Sequence, residues 1–204
     1  MSYYDQIQGT HMDMLKEISN IGTGNAATAL SSMTSKKVEI TVPNVSLVEI
    51  SQIPFLFKDP EKVTVGIPIM FHGDLNGKIL LLFDTEPARE ILELLLGFGN
   101  EDLTVMDEMQ KSVFTEICNI VCGSYIVALS QFTNLFLNSE VPQITVDMLT
   151  AIIAESCLEY AVEEDRTILI ETRFHIEDQS VIGAYLFLIL EPASIPKLLE
   201  SLGM

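Results

Sequence analysis

DMLKEISNIGTGNAATALS, Asp13 to Ser31, returns ninety-nine residues later as SVFTEICNIVCGSYIVALS, Ser112 to Ser130. Glu17, Ile18, Asn20, Ile21, Gly24, Ala29, Leu30 and Ser31 reappear as Glu116, Ile117, Asn119, Ile120, Gly123, Ala128, Leu129 and Ser130. A proline follows each asparagine after the same interval of twenty-two residues, Pro43 after Asn20 and Pro142 after Asn119. A fixed spacing from helix to strand entry is the signature of one supersecondary unit built twice.

Within each copy the glutamate and asparagine are three apart, and Asp13 and Ser112 stand four before the glutamates. On an α-helix these spacings stack side chains along one stripe. A short polar stripe is ordinarily the solvated side of an amphipathic helix. A solvated side needs only some polar residue, however, whereas here a carboxylate and a carboxamide recur at the same offsets while neighbours such as Ala26 and Tyr125 have diverged.

The segments around the stripes repeat as well. Helices are expected over His11 to Met33 and Met106 to Phe136, the first rich in Gly, Ala, Ser and Thr, which lets its twin or a sheet approach closely. Residues 1–10 read as a frayed start. Lys37 to Thr41, Ser46 to Ile50 and Val63 to Phe71 read as strands, and an Asn-Gly turn signal then joins the last of these to Lys78 to Phe83 as a hairpin. A helix lies between Pro87 and Gly97. In the second half, Val141 to Val146 is a strand, Asp147 to Tyr160 is helix-like where the first half has a loop, and Arg166 to Ile176 pairs with Val181 to Leu190. Glu191-Pro192 opens the last helix as Glu86-Pro87 opened the earlier one. The expectation is one α+β domain over residues 1–204, built from repeats at about 11–98 and 106–203. Two such halves most simply share one antiparallel sheet, giving an internally duplicated α/β sandwich with two long motif helices on the sheet and pseudo-twofold symmetry.

Composition narrows the function classes. A net charge of -18, from 29 acidic and 11 basic residues, opposes binding to nucleic-acid phosphates or to an anionic membrane surface. No apolar run reaches the eighteen or so residues of a membrane span, and the start MSYYDQIQGTHMDML lacks the basic and apolar segments of a signal peptide. The expected location is the cytoplasm, in keeping with three cysteines, an odd number. Cys118 and Cys122, four apart on one helix, read as small core residues, with no His or further Cys nearby in sequence to complete a metal site. Gly22, Gly24 and Ala27 approach a dinucleotide fingerprint, but a helical pattern stands where that motif needs a strand. His72 and His175 lie in the hairpins, away from the stripes, and read as turn or strand-end residues.

Asparagine has no useful acid or base chemistry, but it offers a donor and an acceptor and can hold a water in one orientation. Hydrolysis of an already labile phosphoryl group needs that kind of positioning. A glutamate aimed at the phosphoryl group would repel it; paired with a partner's cation, it would set docking register.

The pattern Asp/Ser-x-x-x-Glu-x-x-Asn followed by the spaced proline resembles the signature of the CheC, CheX and FliY chemotaxis phosphatases. Copy one carries it as Asp13, Glu17, Asn20 and Pro43, and copy two as Ser112, Glu116, Asn119 and Pro142. Two intact copies in a chain of this length look most like the CheC branch. The resemblance implies hydrolysis of the aspartyl phosphate of a response regulator, CheY, whose own active site holds Mg²⁺ and a lysine. Asn20 and Asn119 would place the water, Glu17 and Glu116 would engage the lysine, and Asp13, Ser112, Pro43 and Pro142 would support the motif. No cofactor or metal is expected on this chain. The resemblance also implies the receptor deamidase CheD as a partner. The competing expectation is a regulator-binding adaptor of the chemotaxis or flagellar switch system that performs no turnover.

Overall fold

Each motif helix starts and stops by the same local chemistry. In the computed structural model, which describes residues 3–57, 59, 61–99, 101–157, 164–176 and 181–203, α1 runs Gly9–Thr34 and α3 runs Glu108–Thr133. At the start of α1 the Gln8 amide donates to His11 Nδ1 at 3.0 Å. At the matching place in α3 the Asp107 amide donates to Gln110 Oε1 at 3.0 Å, and the Gln110 amide returns a bond to Asp107 Oδ1 at 2.8 Å. These bonds satisfy amides that a helix start leaves open. Ser35 and Asn134 end the two helices in the left-handed conformation, at φ 54° and 56°.

The remaining elements are β1 Val38–Thr41, β2 Val45–Glu49, a 3-10 helix at Ile50–Leu56, β3 Val63–Gly73, β4 Gly77–Phe83 and α2 Thr85–Leu96 in the first half. The second half adds β5 Leu137–Ser139, β6 Thr145–Met148, α4 Leu149–Cys157, β7 Arg166–Ile176, β8 Val181–Leu190 and α5 Ser194–Ser201. The eight strands make one antiparallel sheet in the order β1-β7-β8-β4-β3-β5, with β2 also on β7 and β6 also on β3. Each half thus lends its two short strands to the hairpin of the other half.

The register is duplicated too. Val38 stands opposite Ile176, and its counterpart Leu137 stands opposite Gly73; Ser46 faces Leu169, and Thr145 faces Gly66. At the centre Leu81 pairs with Leu186, its own equivalent in the repeat. A pseudo-twofold axis therefore passes through that pair, normal to the sheet, and keeps α1 and α3 on one face.

That face buries the larger core, where Leu15, Ile18, Phe114 and Ile117 meet Ile79, Leu81, Phe83, Leu186 and Leu188, and where α2 and α5 also pack. The opposite face is covered by α4 and the 3-10 helix, which meet Leu80, Leu82, Leu169, Phe187 and Ile189. Alternate residues of β4 go to opposite faces, and both faces are covered, so β4 is apolar from Ile79 to Phe83.

Several expectations change. Residues 3–6 are not frayed: they form a 3-10 turn with Tyr4 buried, the Tyr3 amide bonds the Glu164 carboxylate at 2.7 Å, and Asp5 pairs with Arg166. α3 stops at Thr133 rather than Phe136, because Asn134 adopts the left-handed cap and frees Leu137–Ser139 to pair with β3. β6 lies later than expected, and the first-half loop is a 3-10 helix at the place of α4. The last residues of the helix expected to reach Tyr160 lie outside the described residues. α3 also has the length and composition of a membrane span, with mean hydropathy 1.6 over eighteen residues, half of them buried in the fold. Isolated polar residues such as Glu116 and Asn119 interrupt its apolar runs, which is why run length alone passed over it.

Candidate active site

Packing decides which way the motifs point. α1 buries Leu15, Ile18, Ser19, Gly22, Thr23, Ala26 and Leu30, and α3 buries their equivalents Phe114, Ile117, Cys118, Val121, Cys122, Tyr125 and Leu129. The opposite side of each helix is left to solvent. Asp13, Glu17 and Asn20 are exposed on α1, and Ser112, Glu116 and Asn119 are exposed on α3. Each glutamate and its asparagine thus share one free helix surface, one turn apart. The twofold axis carries one stripe to the other, so the two motifs form two separate sites.

The helices meet where a side chain is missing. A Cβ on Gly22 would lie 2.9 Å from Tyr125 Cα, so Gly22 serves the approach of α1 to its twin helix. Burial pushes the Tyr125 phenol well above its ordinary pKa, opposed by the neighbouring Ser19 hydroxyl. The symmetric contact is filled differently, with Val121 in place of Gly22 and Ala26 in place of Tyr125.

The supporting residues differ between repeats. Lys16 Nζ donates to the Pro43 carbonyl at 3.0 Å, tying α1 to the turn between β1 and β2. At the equivalent of Lys16, Thr115 turns its hydroxyl back to the Lys111 carbonyl at 3.0 Å. Pro43 is exposed and Pro142 is buried. Beside the second motif, Ser112 and Glu116 form the lip of a groove of about 310 Å³ walled by Met33, Leu95, Leu96 and Met109. The corresponding residues around the first motif are Phe132, Glu200, Ser201 and Thr10, a more polar set. Spacing within the motif could not reveal Lys16 or this groove; the visible signal was methionines placed on otherwise polar helix surfaces.

The histidines stay apart from both stripes. His72 Nδ1 lies 3.8 Å from Glu140 Oε1 at the β3–β5 edge, and His175 stands opposite Glu39 in the β1–β7 pair. Cys118 and Cys122 are buried with their sulfurs 3.5 Å apart. The contact with Cys118, together with burial, holds the Cys122 thiol protonated, well above its ordinary pKa. Among the described residues no group of three or more His, Cys, Asp or Glu is arranged to hold a metal.

Known proteins share the sequence pattern and the fold. The CheC-like family model matches residues 11–47, and the model for the chemotaxis phosphatase CheX matches residues 65–160. The CheY-P phosphatase CheC of Bacillus subtilis is 30% identical over 207 aligned residues, covering 100% of this chain and 99% of that one. The flagellar motor switch phosphatase FliY of the same organism is 30% identical over 127 residues, 62% of this chain and 33% of its own length. Among solved structures, Thermotoga maritima FliY superposes with a TM-score of 0.75 at 23% identity, covering 97% of this chain and 98% of that one. That last likeness shows the fold.

Proposed function

The chain belongs to the CheC-type chemotaxis phosphatases, and from that premise we propose that it hydrolyses the aspartyl phosphate of a phosphorylated response regulator, CheY, at the two exposed Glu-Asn stripes. The observation that carries this assignment is the duplicated exposure of Glu17 with Asn20 and of Glu116 with Asn119, each pair on one side of a buried helix.

Asn20 or Asn119 enters the regulator's site and holds a water through its donor and acceptor. The water oxygen attacks phosphorus, the bond from phosphorus to the aspartyl oxygen breaks, and inorganic phosphate leaves a free carboxylate. Such transfer depends on position and charge stabilisation, so the chain needs no nucleophile of its own. Mg²⁺ belongs to the regulator's site. Glu17 or Glu116 pairs with the regulator's lysine and sets the register of docking. Both glutamates are exposed in the free chain; the pairs they form become desolvated on docking, where breaking one costs about 2 kcal/mol or more. The net charge of -18 favours encounter with a basic patch on the partner. The family resemblance alone supports CheD as a second partner, and a cytoplasmic location belongs to the same reading.

Steady-state kinetics separates the two roles. Asn20→Ala and Asn119→Ala lower kcat at their own sites by about 10², in line with loss of one preorganised polar group, while Glu17→Gln and Glu116→Gln chiefly raise KM. Glutamate variants with an unchanged KM and abolished turnover would overturn the division of roles. Binding of phosphorylated CheY without turnover by the wild type would give preference to the adaptor role.

A further inference from the structure

Gly24 and Gly123 stand four residues after Asn20 and Asn119, one turn further along the same stripe. Both lie well inside 26-residue helices. A glycine there loosens the helix relative to alanine, because it gains backbone entropy in the unfolded chain. The usual compensations are absent at these two positions. Neither residue has a positive φ. A Cβ added at either would meet nothing within 4 Å outside its own helix. Gly22 makes the contrast: there a Cβ would run into the backbone of α3, yet the equivalent residue of the second copy is Val121. The glycine that internal packing requires occurs in one copy only, and the one that internal packing does not require is present in both.

We propose that Gly24 and Gly123 are clearance residues for the docked regulator: the missing Cβ lets the partner's backbone come against the helix beside the asparagine, so that the carboxamide reaches the phosphoryl group. The step rests on the phosphatase reading and adds to it a steric determinant of docking at each site. A methyl group there moves the partner outward by a large part of an ångström, and near-attack geometry tolerates little of that. The same methyl group stabilises the free helix. Function and stability therefore respond in opposite directions, which a merely structural role would not produce.

The test uses the full chain with Gly24→Ala, Gly123→Ala and both together. Thermal unfolding is compared with binding of the cognate CheY activated by beryllofluoride and with turnover of phosphorylated CheY. The expected result is a midpoint of unfolding raised by about 1–4 °C per substitution, together with affinity and kcat/KM at least tenfold lower in the double variant. In an Asn119→Ala background, Gly24→Ala removes most of the remaining turnover. A double variant that binds and turns over within twofold of wild type overturns the proposal, as does a lowered unfolding midpoint, which would mean that the helices themselves need the glycines. If the wild type binds CheY without hydrolysing its phosphate, the phosphatase reading fails and the binding comparison still decides the clearance role. If the wild type does not bind, both fall.

Discussion

Replacing Gly22 by alanine tests the contact that holds the two motif helices in place. The added Cβ would lie 2.9 Å from Tyr125 Cα and 3.2 Å from both the Ser124 carbonyl oxygen and the Tyr125 amide nitrogen. All three are backbone atoms of a buried helix, so no side-chain rotation relieves the clash. Overpacking of this kind costs about 1–3 kcal/mol, and the gain from replacing a helical glycine offsets about 0.4–1 kcal/mol of it. The net loss is about 1–2 kcal/mol, or roughly 2–8 °C in the midpoint of thermal unfolding for a chain of this size. Urea unfolding with an unchanged m-value measures it directly. Because α1 and α3 both move, turnover falls at both sites. Gly22→Ala at or above wild-type stability would refute the close-contact account of the helix pair.

Three further outcomes follow from the geometry. Lys16→Ala removes the bond to the Pro43 carbonyl; because the pair is exposed, stability changes by less than about 1 kcal/mol, but turnover drops several-fold at the first site, measured in an Asn119→Ala background. Met33→Gln with Met109→Gln keeps side-chain size while making the groove wall polar; both residues are substantially exposed, so the fold tolerates them, and KM for phosphorylated CheY rises at the second site with kcat unchanged in an Asn20→Ala background. Alkaline titration weakens the fold. Burial raises the Cys157 thiol from 9.0 to about 11, so the unfolded chain releases a proton that the native chain keeps, and the associated stability is complete below pH 9 and lost as pH rises towards 11. Tyr4 and Tyr125, also raised by burial, extend the loss upward from pH 10. Urea midpoints between pH 8 and 11 record the decline, and Cys157→Ala reduces its slope.

Much of the fold was legible because apolar periodicity and turn residues agreed. The Asn76-Gly77 signal marked the β3–β4 turn, Gly97 ended α2 in the left-handed conformation, and the repeat of Glu17 and Asn20 as Glu116 and Asn119 fixed both motif helices. The exposure of the two Glu-Asn stripes was legible for the same reason, since core residues at helical spacing leave a predictable outer side. What sequence could not supply was long-range pairing. Nothing local in Val38–Thr41 states that it pairs with β7 of the other half, and nothing in Leu137–Ser139 distinguishes a strand from the last turn of an apolar helix except Asn134, a residue apt for a left-handed cap. Tyr4 became core only because Glu164 and Arg166, 160 or more residues away, hold the first turn down. The groove beside Glu116 was hidden for a related reason, as its wall joins α1, α2 and α3.

The most direct test of the central claim is the decay of phosphorylated CheY, with Mg²⁺ present, alone and with wild type, Asn20→Ala, Asn119→Ala and the double variant. Wild type should accelerate the decay, each single variant should retain the contribution of the other stripe, and the double variant should return the rate to that of CheY alone. Accelerated decay that survives in the double variant would contradict the account, because hydrolysis would then be carried by residues outside the two motif helices.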